Sequence, residues 1–312
     1  MASTTSTSAV LDTSTGQAAF PQPRAVLELL KPVTWFAPMW ALACGVVSAG
    51  VPFAENWLSI LGAVLLAGPL VCGTSQAAND WFDRHVDAIN EPNRPIPSGR
   101  IPGRWGLWIA VIWTGLSLAV GAALGPWVLA ATIFGLVLAW IYSAPPLRLK
   151  LNGWWGNSAV GLCYEGLPWF TGAAALSAAT MPDARITALA LLYSIGAFGI
   201  MVLNDFKAIE GDEAMGVRTL PVQLGVTNAA VFACWIMALP QVVVVAMLLK
   251  QGKPTHAAIV AAVLVAQLAL MPMLVKNPRK RAPLYNATGT TLYVSGMMTS
   301  AFAMRALLSA AA

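Results

Sequence analysis

Charge is what this chain of 312 residues has least of. Asp, Glu, Lys and Arg make up only 10% of it, against roughly 25% in soluble globular proteins. A soluble surface cannot be built from so few charges. Histidine is rarer still, limited to His85 and His256. Cysteine is sparse too: Cys44, Cys72, Cys163 and Cys234 stand at unrelated spacings in apolar segments, with no CxxC and no Cys/His cluster. That excludes a disulfide framework and a thiolate metal site, and leaves buried free thiols. The first twenty residues hold no Lys or Arg, so they lack the charged start of a signal peptide and the arginines of a transit peptide. Residues 1–23 are expected to form a disordered tail rich in Ser, Thr and Ala. Its lack of basic residues favours a bacterial inner membrane. Alternating ten-residue apolar segments are missing, which argues against a transmembrane β-barrel.

What the chain has instead is apolar length. It is 58% hydrophobic, with a mean hydropathy of +0.69. Runs long enough to span a bilayer recur throughout, bounded by Pro, Gly or charges. They predict an all-α polytopic membrane protein of nine transmembrane helices, because backbone polar groups in lipid must be satisfied internally. The expected spans are Val33–Val51, Trp57–Ala78, Trp105–Leu124, Pro126–Ser143, Asn157–Ala179, Ile186–Leu203, Asn228–Leu249, His256–Val275 and Thr288–Leu308. With the N-terminus cytoplasmic and the C-terminus periplasmic, 14 of the 18 Lys and Arg fall on the cytoplasmic side, as the positive-inside bias requires.

The scarce charge is also concentrated. Eight of the 13 acids are Asp80, Asp83, Asp87, Glu91, Asp205, Glu210, Asp212 and Glu213. They lie in two loops on the same expected face, "NDWFDRHVDAINEPNRPIP" from Asn79 and "NDFKAIEGDEAMGVRTLP" from Asn204. Both loops open with Asn-Asp, place another Asp seven residues after the first, and close on Arg-x-x-Pro, at Arg94 and at Arg218. Scattered loop acids would not repeat that plan. A duplicated half-bundle would, with halves of roughly 24–150 and 151–312 in one domain spanning 24–312.

If the helix continues past Asn79, steps of about 100° put Asp80, Asp83 and Asp87 within roughly 60° of one face. Asp205 and Asp212 fall within about 20° of each other by the same rule. Such carboxylates repel unless cations neutralise them. A set of oxygens without clustered His or Cys suits Mg2+, which binds through a few carboxylates and substrate phosphates. Two ions could bridge a diphosphate between the two loops. Arg94, Arg148, Lys150 and Arg218 are candidate phosphate contacts; Arg100 and Arg148 could equally be positive-inside anchors.

These loops resemble the UbiA superfamily of intramembrane prenyltransferases. Asn79, Asp80, Asp83 and Asp87 match its first motif, NDxxDxxxD, in full. Asn204, Asp205, Glu210 and Asp212 match its second, although Ala208 stands where an Asp is common. "DAINEPNRPIPSGRI", "YSAPPLRLK", "NDFKAIEGD" and "VRTLPVQLG" look like the chlorophyll and bacteriochlorophyll synthase branch, and "YEGLPWFTG" more like its bacteriochlorophyll form. The resemblance implies a bundle around a central cavity under cytoplasmic cap loops. It also implies Mg2+-dependent esterification of a bacteriochlorophyllide propionate by geranylgeranyl or phytyl diphosphate. Asp80, Asp83, Asp205, Asp212 and Lys150 would be catalytic. Asn79, Asp80, Asp83, Asp87, Asp205 and Asp212 would hold metal, and Arg94, Arg148, Lys150, Arg218, Tyr142 and Asn204 the diphosphate.

Some positions stay open. Tyr142 is either near the diphosphate or an interfacial tyrosine. Glu165, inside an apolar run, either orients a substrate or pairs with another helix, since intramembrane acids are costly and usually functional. Trp169 is a second candidate for the substrate pocket. The acceptor could instead be chlorophyllide or an aromatic ring. The other class is a transporter or pigment carrier, but transporter acids sit near the midplane rather than in loops at one face. The partners implied are the two substrates, the lipid bilayer, and pigment-pathway or photosystem-assembly proteins; nothing points to nucleic acid.

Overall fold

The computed structural model describes residues 20–310; residues 1–19 of the expected tail lie outside them. The described chain is a helical bundle. Six helices in it are long and apolar enough to cross a membrane: Ala54–Asn90, Trp105–Leu124, Pro126–Ser143, Ala184–Asp205, Val226–Lys250 and Pro254–Lys276. A seventh candidate is the pair Pro23–Leu29 and Pro32–Ser48, bent by 40°. The other two expected spans are helical but do not meet that criterion. Residues 153–174 form three abutting pieces, Gly153–Gly161, Leu162–Gly166 and Leu167–Ala174. The last helix, Pro278–Leu308, begins ten residues before Thr288 and carries Arg279, Lys280 and Arg281 in its first turns.

Local chemistry explains the breaks. Gly125, at φ 123°, separates two helices that abut in sequence, and Pro126 opens the second at a position where its missing N–H costs nothing. Pro69 lies inside a helix, where it removes one backbone donor, and the turns around it, Leu66–Cys72, widen to π geometry.

Glycine sets the tightest approach. A Cβ on Gly45 would collide with the Trp169 carbonyl oxygen, and one on Gly172 with that of Leu42. Helices Phe36–Ser48 and 153–174 therefore touch nearly backbone to backbone, the small-residue packing expected where lipid supplies no hydrophobic drive. Beside this contact lies an aromatic core. Trp169 stacks on Tyr193 with centroids 5.4 Å apart, and Tyr193 meets Tyr293 edge-on at 5.3 Å. The outer faces expose Leu58, Val137, Leu239, Val243 and Val265, the surface a bilayer requires.

Candidate active site

Helix Gly73–Asn90 carries the first acidic motif well past the apolar layer, so Asp80, Asp83 and Asp87 do share a helix. Each carboxylate meets a cation. Lys31 Nζ donates to Asp80 at 2.6 Å. Arg94 donates to Asp87 at 2.8 Å and lies 3.7 Å from Asp80. Lys150 donates to both oxygens of Asp83, and Arg148 stands 3.6 Å away. Asp80 is 2% exposed, yet its Oδ2 has no partner. Burial pulls the Lys150 ammonium below the usual lysine range, against the opposing pull of its bond to Asp83. Arg100 is held elsewhere, gripping Glu28 with two bonds of 2.6 and 2.9 Å.

The second motif is built differently. Helix Ala184–Asp205 ends at its aspartate, and Asp212 lies on a separate short helix, Ile209–Ala214. The regular-helix relation expected for Asp205 and Asp212 therefore fails, because the intervening residues turn out of the helix, with Ala208 N bonded to Asp205 O. Asp205 Oδ2 accepts from Asn157 at 3.0 Å. Burial pushes Asp212 above the usual carboxylate range. Glu210 is exposed and pairs with Arg279 at 2.6 Å, pointing to solvent rather than to Asp212's buried side.

The second loop is joined to the basic segment that carries Arg148 and Lys150. Asn152 and Arg218 form a short parallel bridge, with Gly153 N bonded to Arg218 O at 2.8 Å and Arg218 N to Leu151 O at 2.9 Å. Only glycine fits at 153, since a Cβ there would lie 2.7 Å from Leu220 N. Gly153→Ala is expected to part these two segments at a cost of about 1–3 kcal/mol. The measurement is hydrogen exchange, which should quicken in 149–153 and 217–220 together.

Beneath this charged end opens a cavity of about 920 Å³, at the upper end of the roughly 300–1,000 Å³ typical of ligand sites. Its walls are mostly apolar, with Asn79, Tyr142, Glu165, Asn204, Lys207 and Arg279 among its polar members. Tyr142 is close enough to Asp83 and Asp205 to feel the charge of both. Trp169 is not part of the wall. It is fully buried in the aromatic core, its indole N–H bonded to Ser48 Oγ at 3.1 Å, so the pocket role expected for it is withdrawn. Its face of the helix turns toward Phe36–Ser48 rather than toward the cavity.

No group of three or more His, Cys, Asp or Glu among the described residues forms a ready metal cage. The donors still fit Mg2+, which keeps waters and substrate phosphates in its shell and needs only one or two carboxylates. The unpartnered Asp80 oxygen and the half-buried Asp205 are of that kind. Lys31, Asn157, Asn286 and Arg279 are additions that the motifs did not reveal. Asn286 donates to Asn204 at 2.8 Å, and the only trace of it in the sequence is a lone amide within a weakly apolar run.

Comparison with known proteins agrees. Residues 33–295 match the model of the UbiA prenyltransferase family. The chain is 61% identical over 287 residues to the bacteriochlorophyll synthase 33 kDa chain of Cereibacter sphaeroides, covering 92% of this chain and 95% of the relative. It is 38% identical to the chloroplastic chlorophyll synthase of Oryza sativa, covering 89% of this chain and 76% of that one. A UbiA homolog from Archaeoglobus fulgidus, solved bound to GPP and Mg2+, shares the fold with a TM-score of 0.67 at 21% identity, over 86% of this chain and 99% of its own.

Proposed function

Because the chain belongs to the UbiA prenyltransferase family, we propose that it is a bacteriochlorophyll synthase, joining the propionate of bacteriochlorophyllide a to the prenyl group of geranylgeranyl or phytyl diphosphate. The observation that carries this reading is the pairing of Asp83 with Lys150 and Arg148 at the mouth of an apolar cavity. Phosphate chemistry belongs at that mouth, and an isoprenoid chain belongs in the space beneath. The chain's 61% identity to a named bacteriochlorophyll synthase, against 38% to a chlorophyll synthase, favours the bacteriochlorophyllide acceptor.

Each part of the site then has a task. Lys150, Arg148, Arg94 and Arg218 grip the diphosphate oxygens, with Tyr142 and Asn204 beside them. Asn79, Asp80, Asp83 and Asp87 on one side, and Asp205 and Asp212 on the other, would hold Mg2+, one ion to each side. Bound there, the metal supplies positive charge to the departing diphosphate, where the electrostatic demand is greatest. The C–O bond to diphosphate breaks, its electron pair leaving with the diphosphate. A propionate oxygen forms the new bond to the same allylic carbon. The propionate is already ionised at neutral pH, so no general base is needed, in keeping with the scarcity of histidine. The apolar wall keeps water from the allylic cation.

The same reading makes the charged end cytoplasmic, with its loops as caps, and the C-terminus periplasmic. It counts helix 153–174 and helix Pro278–Leu308 as spans, for nine in all. It treats 24–312 as one domain of two related halves, in a bacterial inner (intracytoplasmic) membrane.

Purified protein with Mg2+ and geranylgeranyl or phytyl diphosphate is expected to esterify bacteriochlorophyllide in preference to chlorophyllide and 4-hydroxybenzoate. Chelation with EDTA should stop turnover, and added Mg2+ should restore it. Product from hydroxybenzoate alone would refute the assignment.

A further inference from the structure

Glu165 has no task in this mechanism, yet it is the most deeply placed acid in the cavity wall. It is 5% exposed, and its Oε2 has no hydrogen-bond partner. None of the ion pairs among the described residues involves it. The alternative of pairing with another helix therefore finds no support. An ionised carboxylate without a counter-cation is costly to bury in apolar surroundings, which suits this group to donate a hydrogen bond.

Its position is held from behind. Glu165 lies in the π turn Leu162–Gly166, a local widening that recurs at functional sites. The glycines beside it press on helix Ala184–Asp205: a Cβ on Gly161 would lie 2.9 Å from Ser194 O, and one on Gly166 3.0 Å from Ser194 Cβ. The helix therefore has no room to turn its acid away from the cavity. Glu165 stands twelve residues beyond Gly153, about 18 Å deeper at a helical rise of about 1.5 Å per residue. A flat ring whose propionate reaches Lys150 and Asp83 would extend into the cavity that Glu165 lines.

Resting on the proposed acceptor, we propose that Glu165 is a specificity-determining residue, its carboxyl donating a hydrogen bond to a conjugated carbonyl on the ring's periphery. In bacteriochlorophyllide a we assign that role to the 3-acetyl oxygen, carried on the pyrrole next to the one that bears the propionate. A 3-vinyl ring offers no acceptor there and leaves the buried carboxyl unpaired, the situation in which polar sites discriminate most strongly.

The test compares two acceptors that differ at one substituent, 3-acetyl and 3-vinyl bacteriochlorophyllide a, with wild type, Glu165→Leu and Glu165→Gln. Wild type is expected to favour the acetyl ring by about tenfold in kcat/KM, most of it in KM. Glu165→Leu should collapse that ratio toward one, and Glu165→Gln, whose amide also donates, should keep most of it. A wild-type ratio near one overturns the inference without recourse to any variant. So does a ratio that survives in Glu165→Leu, or a Glu165→Gln enzyme as unselective as the leucine variant, which would point to the charge rather than the donor. If wild type esterifies neither ring, the parent reading fails; if it esterifies both alike, only the present inference does.

Discussion

Asp80→Asn and Asp205→Asn are each expected to lower turnover by at least about a hundredfold, since in the proposed mechanism each removes a carboxylate that would hold the Mg2+ serving the departing diphosphate. The substitution is nearly isosteric, and the surroundings of each residue can accept it. Asp80 is bonded to Lys31, which is partly exposed and can turn to water. Asp205 accepts from Asn157, and an asparagine oxygen can accept in its place. Folding and membrane insertion should therefore be unchanged, checked by detergent-extracted yield and thermal unfolding alongside the assay. The unpartnered Asp80 Oδ2 makes the sharper case. It has nothing to lose in the protein itself when it becomes an amide, so a lost activity is a lost ligand. Mg2+-dependent turnover persisting in both variants would overturn the metal assignment.

The largest effect on stability is expected at Gly45. Gly45→Val places branched carbon where the Trp169 backbone already stands, and the two helices have to separate. Overpacking of a tight contact costs about 1–3 kcal/mol or more, and here it also opens the walls that carry Trp40 and Pro168 into the cavity. A fall in Tm of about 5 °C is expected, from an entropy of unfolding typical of proteins this size. Gly115→Ala is the control, since nothing lies within 4 Å of a Cβ there. Equal Tm values for the two variants would show that the close approach is not a source of stability.

What the sequence revealed, and what it hid, divides along physical lines. The helices Trp105–Leu124 and Pro126–Ser143 were readable to the residue because Arg104, Gly125 and Pro126 punctuate them. Helix 153–174 was not, because its start depends on a cap, Asn152 accepting from Trp154 N, and its end at Ala174 falls within an alanine-rich run that carries no stop signal. The early start at Pro278 was masked by the charges of Arg279, Lys280 and Arg281, which a helix tolerates once it leaves the apolar layer. The first acidic motif could be read as one face of a helix because the helix is regular throughout. The second could not, because the chain turns after Asp205. Lys31 and Asn157 were invisible as partners, lying 49 and 48 residues from the aspartates they serve. A single Lys or Asn carries no periodic signal, and only folding brings it to its carboxylate.

The bridge between Asn152 and Arg218 has a kinetic consequence. It ties the segment that carries Arg148 and Lys150 to the segment that follows Asp212 by two backbone bonds. Neither segment can swing aside without the other, so the rim opens as one cooperative unit. Departure of spent diphosphate and arrival of the next donor would then pass through a single gate. The frequency of that one motion, rather than the chemistry beneath it, would set a ceiling on how often the enzyme turns over.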